Sequence, residues 1–387
     1  MNLNYGKNFW LLSLSMFFFM TSFNLILPEL NDFISDLGGA DKKGLVIMLF
    51  TISAAISRPF SGKLTDTIGR KKVIYLGILF SMLVSLCYPF SYSVLFFLVL
   101  RFLHGFSAGF TPTGTTAMLT DIIPPNQRGQ AMGIWGTFIS LGFGVGQFSG
   151  SWIGSSFGMD TLFIISGLTS LMSGIFLIKV EETLKNPQKF DGSQLKVKWK
   201  DVIEPSVVPV AIVMALTTSC SGIIFVLTPD ISGFLGIENK GFFFGFYVIS
   251  TIFVRLFNSS LSDRIGRRET MLIGISMLFI SMLLMAHVDS RTSFIVAAIV
   301  FGLATGVSSP TLFAWTADLS HIKRRGVGAG TIFIALEIGI MIGSSSTIIT
   351  YDNTVNSIQG VFYFGAAMSV IAITYLLWHK ANRTSEF

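Results

Sequence analysis

Seven ionisable side chains stand inside long apolar stretches of this 387-residue sequence: Glu29, Arg58, Arg101, His104, Asp230, Arg255 and Glu337. Ionisable groups at such positions are costly and usually face a cavity or a charged partner. A carboxyl group can bind and release a proton when its surroundings change, whereas an arginine stays charged and acts on a neighbouring carboxyl group. These side chains therefore predict a protein that binds and releases a proton as its conformation changes.

Glu337 is the most isolated of the acids, because it stands about ten residues inside its apolar stretch with no helix end nearby. We therefore expect Glu337 to line a central cavity. Arg101 and His104 are three residues apart and share one helix face. His104 titrates nearest to neutrality, but it is a weaker candidate than the acids. Asn24 and Gln147 are further polar candidates for the cavity.

The other four charged residues each have an alternative structural role. Glu29 and Asp230 follow prolines near the outer ends of their stretches, so they could instead cap those ends in interfacial water. Arg58 and Arg255 lie near the inner ends, where an arginine can extend its charged head to the membrane surface. The sequence leaves both alternatives open.

Composition indicates an integral membrane protein. Hydrophobic residues make up 51% of the chain and charged residues only 12%, against roughly 25% charged residues in soluble proteins. No small-residue cleavage site follows the first apolar stretch, so we expect no cleaved signal peptide. Cys87 and Cys220 both lie in apolar stretches, which indicates neither a disulfide framework nor a metal site.

The apolar stretches predict an all-α fold of twelve membrane-spanning helices, six in each half. They lie near residues 9–30, 44–62, 73–92, 94–119, 130–154, 160–179, 206–229, 241–260, 270–288, 293–316, 327–350 and 359–378. A polar stretch separates the halves. We therefore predict a first six-helix bundle over 1–180, a linker over 181–204 and a second bundle over 205–387.

Most of the 27 lysines and arginines lie in the even-numbered connections, the linker and the tails. By the positive-inside rule, this distribution predicts that both termini are cytoplasmic and that the chain crosses the cell membrane many times. The net charge of +6 is then explained by topology, and no nucleic-acid partner is expected.

Two similar copies of one sequence motif, called here the repeated phrase, lie 197 residues apart, as Leu64–Lys71 and Leu261–Arg268. The same offset relates Arg58 to Arg255 and Glu337 to Ser140. A repeat at a fixed offset predicts two copies of one structural unit. Glycines at 69 and 266 permit the sharp turn that each phrase needs.

Acids and arginines around the repeated phrase predict a charge cluster in each half. An acid at a helix end can pair with an arginine or with the N-terminus of a neighbouring helix. We predict two cytoplasmic gating clusters, Asp66, Arg70 and Asp121 in the first half and Asp263, Arg267 and Asp318 in the second. The alternative is that these are solvated loop charges that only fix topology.

The stretch Gly62–Lys72 resembles the loop signature of the major facilitator superfamily, and the resemblance extends over nearly the whole chain. Arg101, Gly105 and Gly109 are similar to a second signature, that of its drug:proton antiporter group. The resemblance implies that Arg101 takes part in proton coupling, and Glu337, Glu29 or Asp230 would be the carboxylate that it affects.

A third signature, the antiporter motif of helix 5, is matched by Gly133, Gly142, Gly146, Gly150 and Gly154. Gln147 stands where the family pattern has proline. Small residues every four positions also let two membrane helices pack closely. A packing seam is therefore the alternative interpretation of each glycine.

These observations favour a secondary transporter that exports a small organic molecule or drug in exchange for protons, by alternating access between its halves. The alternatives are an uptake symporter or facilitator for a small polar or anionic solute, an exporter of an acidic or zwitterionic metabolite such as a metallophore, and a transporter-like sensor. The sequence contains no nucleotide-binding loop and no HExxH motif, so an enzyme is not expected. We expect a monomer in the lipid bilayer, driven by the proton gradient, with no cofactor and no metal.

Overall fold

The computed structural model describes residues 5–123, 128–196, 198, 202–257, 261–319 and 325–384. Within these residues all regular structure is helical, which confirms the predicted all-α class. Twelve long helices account for most of it: α1 Lys7–Ile26, α2 Lys43–Thr67, α3 Arg70–Cys87, α4 Val94–Ile122, α5 Arg128–Phe157, α6 Met159–Ile178, α7 Val208–Phe234, α8 Phe242–Phe257, α9 Arg267–Ala286, α10 Arg291–Leu319, α11 Arg325–Thr350 and α12 Val355–Thr384.

Ten helical stretches in the described residues are long and apolar enough to cross a membrane. A shorter apolar stretch over Phe242–Arg255 belongs to α8, and α5 is not among the ten. Several helices continue past the predicted apolar segments, because the backbone hydrogen-bond ladder persists where hydropathy falls. For example, α4 extends to Ile122, beyond the predicted segment 94–119. It begins after Ser93, whose hydroxyl accepts from the Phe96 backbone N–H at 3.3 Å.

The helices pack into two bundles of six with the same internal arrangement. In the first, α1 packs on α5 and α6, and α4 packs on α2 and α3. In the second, α7 packs on α11 and α12, and α10 packs on α8 and α9. Each contact recurs when six is added to the helix number, as the repeat at offset 197 predicts.

The bundles meet mainly through two helix pairs, α2 with α11 and α5 with α8. We call the end of the molecule with Lys7 and Thr384 the terminus face, and the opposite end, with Glu29 and Lys240, the distal face. On the distal face, a Cβ built on Gly44 would lie 2.7 Å from the Ser344 carbonyl oxygen. One built on Gly241 would lie 2.0 Å from the Gln147 carbonyl oxygen. Backbone therefore touches backbone at both places, and the distal face is closed.

Candidate functional site

The first inter-bundle contact is an ion pair between Arg58 on α2 and Glu337 on α11. The Arg58 Nη2 and Glu337 Oε1 atoms are 3.0 Å apart, and the two side chains are only 4% and 6% exposed. Arg58 Nη1 also donates to Thr113 Oγ1 at 3.0 Å, and the guanidinium lies 4.3 Å from the centre of the Phe333 ring. Arg58 therefore does not extend to the surface; it joins the two bundles.

Arg255 on α8 occupies the equivalent place in the second inter-bundle contact. Its Nη1 donates to the Gly136 carbonyl and, at 2.7 Å, to Ser140 Oγ, both on α5. Ser140 is the residue that corresponds to Glu337 at offset 197. The two contacts thus share one geometry, but the second has a hydroxyl group where the first has a carboxylate.

Arg101 and His104 lie together inside the first bundle, around a tyrosine that the sequence analysis missed. Arg101 Nη1 donates to the Tyr88 hydroxyl at 3.3 Å, and that hydroxyl lies 3.1 Å from His104 Nδ1. Arg101 Nε donates to the Val46 carbonyl at 3.2 Å. The expectation that Arg101 faces Glu337, Glu29 or Asp230 needs correction, because the described partners of all three acids are other residues. The basic partner of Glu337 is Arg58.

Asn24 and Gln147 pair with each other between α1 and α5. Gln147 Nε2 donates to Asn24 Oδ1 at 3.3 Å, and Asn24 Nδ2 donates to the Met20 carbonyl at 2.7 Å. Both residues are fully buried. In this conformation they hold two helices of one bundle together rather than facing a space between the bundles.

Glu29 and Asp230 form crossed ion pairs that close the distal face. Asp230 Oδ2 lies 2.7 Å from Lys43 Nζ on α2, and Glu29 Oε2 lies 3.0 Å from Lys240 Nζ, just before α8. Each acid therefore binds a lysine of the opposite bundle. Lys43 and Lys240 are themselves 197 residues apart and both precede a glycine, a signal that could have identified them.

Further polar contacts support these pairs. Asp230 accepts from the Tyr351 hydroxyl at 2.7 Å and from Asn31 Nδ2 at 3.0 Å, and Lys240 also contacts Asp32. Burial opposes the charge of Lys240, but the hydrogen bond to Asp32 and the charge of Glu29 outweigh it and raise the lysine's pKa. Burial, with the nearby Asp230 charge, raises the pKa of Tyr351. Lys240 thus stays charged and Tyr351 stays a donor at neutral pH.

On the terminus face, the predicted charge clusters form within single bundles. Arg70 Nη1 lies 3.0 Å from Asp66 Oδ1, and its Nε lies 3.2 Å from Asp121 Oδ2. In the second bundle Arg267 Nε lies 2.9 Å from Asp318 Oδ2. The side chain of Asp263 lies outside the described residues.

The segment after α6 completes the first cluster, which the sequence did not indicate. The Glu182 carboxylate accepts from the backbone N–H groups of Arg70 and Lys71 at 3.1 and 3.0 Å, and so caps the N-terminus of α3. Gly69, immediately before the helix, has φ of 121° and lies against this carboxylate. The linker is therefore joined to the repeated phrase by hydrogen bonds.

Four of the five glycines of the α5 motif pack against α1 or its continuation. The closest approach is at Gly150, where a built Cβ would lie 1.8 Å from the Leu25 carbonyl oxygen. Gly142, Gly146 and Gly154 have similar contacts, of 2.5 to 2.9 Å, whereas a Cβ on Gly133 meets no described atom within 4 Å. The seam joins helices of one bundle, and Gly133 takes no part in it among the described residues.

Comparisons with known proteins agree with this architecture. A sequence model of the Major Facilitator Superfamily matches residues 11–253 and 210–386. Multidrug resistance protein 2 of Bacillus subtilis is 26% identical over 402 residues, covering 99% of this chain and 98% of that protein. The multi-drug resistance efflux pump PmrA homolog of Lactococcus lactis is 25% identical over 397 residues, covering 98% of this chain and 95% of that protein.

An uncharacterised MFS-type transporter of Methanocaldococcus jannaschii is 23% identical over 383 residues, covering 96% of this chain and 98% of that protein. Among solved structures, the human organic anion transporter TETRAN superposes with a TM-score of 0.77 at 17% identity, covering 96% of this chain and 99% of that one. At this low identity, the similarity to TETRAN shows a shared fold. The family match spans both bundles, and the chain therefore belongs to the Major Facilitator Superfamily and is a multi-pass membrane transporter.

Proposed function

We propose that this transporter exports a small organic molecule from the cytoplasm in exchange for protons. The observation that carries the proposal is the buried Arg58–Glu337 pair, because it places a titratable acid on the contact between the bundles. Two full-length relatives are named as multidrug resistance proteins or pumps. The excess of lysine and arginine at the terminus face supports a cytoplasmic location for both termini and a cell-membrane location.

With that orientation, the described conformation is closed to the outside. The crossed pairs of Lys43 with Asp230 and of Lys240 with Glu29 hold the outer ends together. Opening the outer side separates α2 from α11 and α5 from α8, as rigid bundles rock about the midplane. We propose that the same movement also breaks the Arg58–Glu337 pair, because its two residues lie on α2 and α11, which separate.

Breaking this pair allows Glu337 to bind a proton. Glu337 without Arg58 is an acid in an apolar site and binds a proton while it faces the outside. When the outer side closes, Arg58 again faces Glu337 and stabilises its carboxylate, so the proton leaves toward the cytoplasm. The cycle thus moves a proton inward as the empty site returns to bind the next substrate.

Inside-out membrane vesicles with an acidic lumen and a trapped pH dye test this proposal. Addition of an exported solute should make the lumen more alkaline, because protons leave as the solute enters. Glu337→Gln should abolish this response. Glu238→Gln, which alters an exposed carboxylate of the distal face, should keep it and serves as the control. Proton exchange in Glu337→Gln equal to that in Glu238→Gln would contradict the proposal.

Transport of an acidic solute is a second candidate, and one observation favours it. Three arginines lie within the bundles, and within the described residues only Arg58 pairs with a carboxylate. Within the described residues, no carboxylate therefore neutralises the positive charges of Arg101 and Arg255.

A further inference from the structure

The two inter-bundle contacts are related by the repeat, but they differ by one charge. Arg58 faces Glu337 across α2 and α11, and Arg255 faces Ser140 across α8 and α5. Arg255 is half-buried, and removing an arginine from water without a counter-ion carries a desolvation cost. The second contact keeps the cation and lacks the acid, so a negative charge from outside the chain would complete it.

One edge of the Arg255 guanidinium lacks a hydrogen-bond partner among the described atoms. Nη1 is occupied by the Gly136 carbonyl and the Ser140 hydroxyl, whereas Nε is buried without a hydrogen-bond partner among the described atoms. Nε belongs to the edge of the guanidinium that binds a carboxylate through two parallel hydrogen bonds. The Nε atom of Arg58 is also unpaired, but Glu337 already neutralises that guanidinium.

The surroundings of Arg255 include small residues and aromatic rings. Gly133, Gly136 and Ser140 lie along one face of α5, and a Cβ built on Gly133, toward the terminus face, would meet no described atom within 4 Å. Toward the distal face, Phe143 on α5 and Tyr247 on α8 have ring centres 5.5 Å apart. An aromatic group entering from the terminus face would meet the cation before these rings.

We infer that Arg255 and Ser140 form the binding site for the carboxylate of an aromatic organic acid, which is the substrate class of this transporter. The carboxylate binds the free edge of Arg255 and accepts a hydrogen bond from the Ser140 hydroxyl. The ring packs toward Phe143 and Tyr247. This inference rests on the proposed transport function and names its substrate.

Binding to the purified full-length protein by calorimetry tests the inference, with 1-naphthoate, 1-naphthylmethanol and 1-naphthylmethylammonium as probes that share one ring system. Naphthoate should bind best to the wild type. Arg255→Gln should weaken naphthoate binding at least about thirty-fold, as expected when a buried charge loses its partner, with little effect on the alcohol.

Ser140→Glu is the sharper variant, because it keeps Arg255 and gives it the acid that Arg58 has. It should weaken naphthoate binding to a similar extent and keep the protein folded. Ser155→Glu, at an exposed position of the same helix, should bind naphthoate like the wild type. Three results would each overturn the inference. They are an unchanged naphthoate affinity in Ser140→Glu, a wild type that binds the ammonium probe more strongly than naphthoate, and a wild type that does not bind naphthoate at millimolar concentration.

The vesicle experiment separates this result from the proposed function. Naphthoate binding that needs Arg255, without any proton exchange, would support the binding site and contradict antiport. Proton exchange driven by other solutes, with naphthoate binding indifferent to Arg255 and Ser140, would leave antiport standing and overturn the site.

Discussion

Replacing Asp230 with asparagine should open the distal face, because it removes the charge that holds Lys43 of the opposite bundle. The asparagine amide keeps the size of the side chain and can still accept from Tyr351. The change therefore tests the ion pair and little else.

The structure sets the magnitude of this effect. The Lys43–Asp230 pair is 2.7 Å long, with side chains 14% and 7% exposed. Exposed pairs contribute up to about 1 kcal/mol and breaking a buried pair costs about 3–5 kcal/mol. For this intermediate case we take about 2 kcal/mol, a factor of about thirty in the open-to-closed ratio. A wild type that is open about 1% of the time would then be open nearly a quarter of the time.

Spin labels at two exposed distal positions, Tyr92 in the first bundle and Asp289 in the second, would measure this change by pulsed electron resonance. Cys87 is exposed and would be replaced by serine; Cys220 is buried. In Asp230→Asn a longer distance should gain population. Lys42→Gln is the matched control, since Lys42 is 44% exposed and lies 3.8 Å from its acidic neighbour. A distance distribution in Asp230→Asn identical to that control would refute the reasoning.

Three further predictions concern other parts of the molecule. Gly150→Ala should sharply reduce the folded yield, because its methyl group would lie 1.8 Å from the Leu25 carbonyl oxygen, whereas Gly133→Ala should be tolerated; equal yields on gel filtration would contradict the packing seam. Glu182→Gln should weaken the cap of α3 by about 1 kcal/mol and speed exchange of its first amides about five-fold, as measured by hydrogen exchange. The pKa of Lys240 is raised above its ordinary value of 10.5, so its ion pairs stabilise the closed face fully below pH 10.5 and are lost only as the pH rises through the raised pKa. The same spin labels should therefore show no opening of the distal face caused by this lysine between neutral pH and pH 10.5.

The repeat made much of the fold predictable, because a charged phrase kept in phase over 197 residues implies two equivalent units. The sequence also predicted the contacts of Arg70 with Asp66 and Asp121 and of Arg267 with Asp318, since these partners lie within one bundle. Contacts between bundles were harder to predict. The offset relates Arg58 to Arg255 and Glu337 to Ser140, yet it does not say that these sets touch. That depends on how α2 meets α11.

Two residues illustrate what the sequence did not reveal. Lys43 and Lys240 resemble charges that merely set topology, and only their shared offset and the glycine after each distinguish them. Tyr88 carries no signal, because one tyrosine at the end of an apolar segment is unremarkable until the fold brings it to Arg101 and His104.

Glu337 is the proposed proton carrier at the contact between the bundles. The most direct measurement compares solute-driven proton release from inside-out vesicles containing Glu337→Gln with that from vesicles containing Glu238→Gln, at equal protein content. We expect no release from the first and wild-type release from the second. Equal release in both would contradict this proposal.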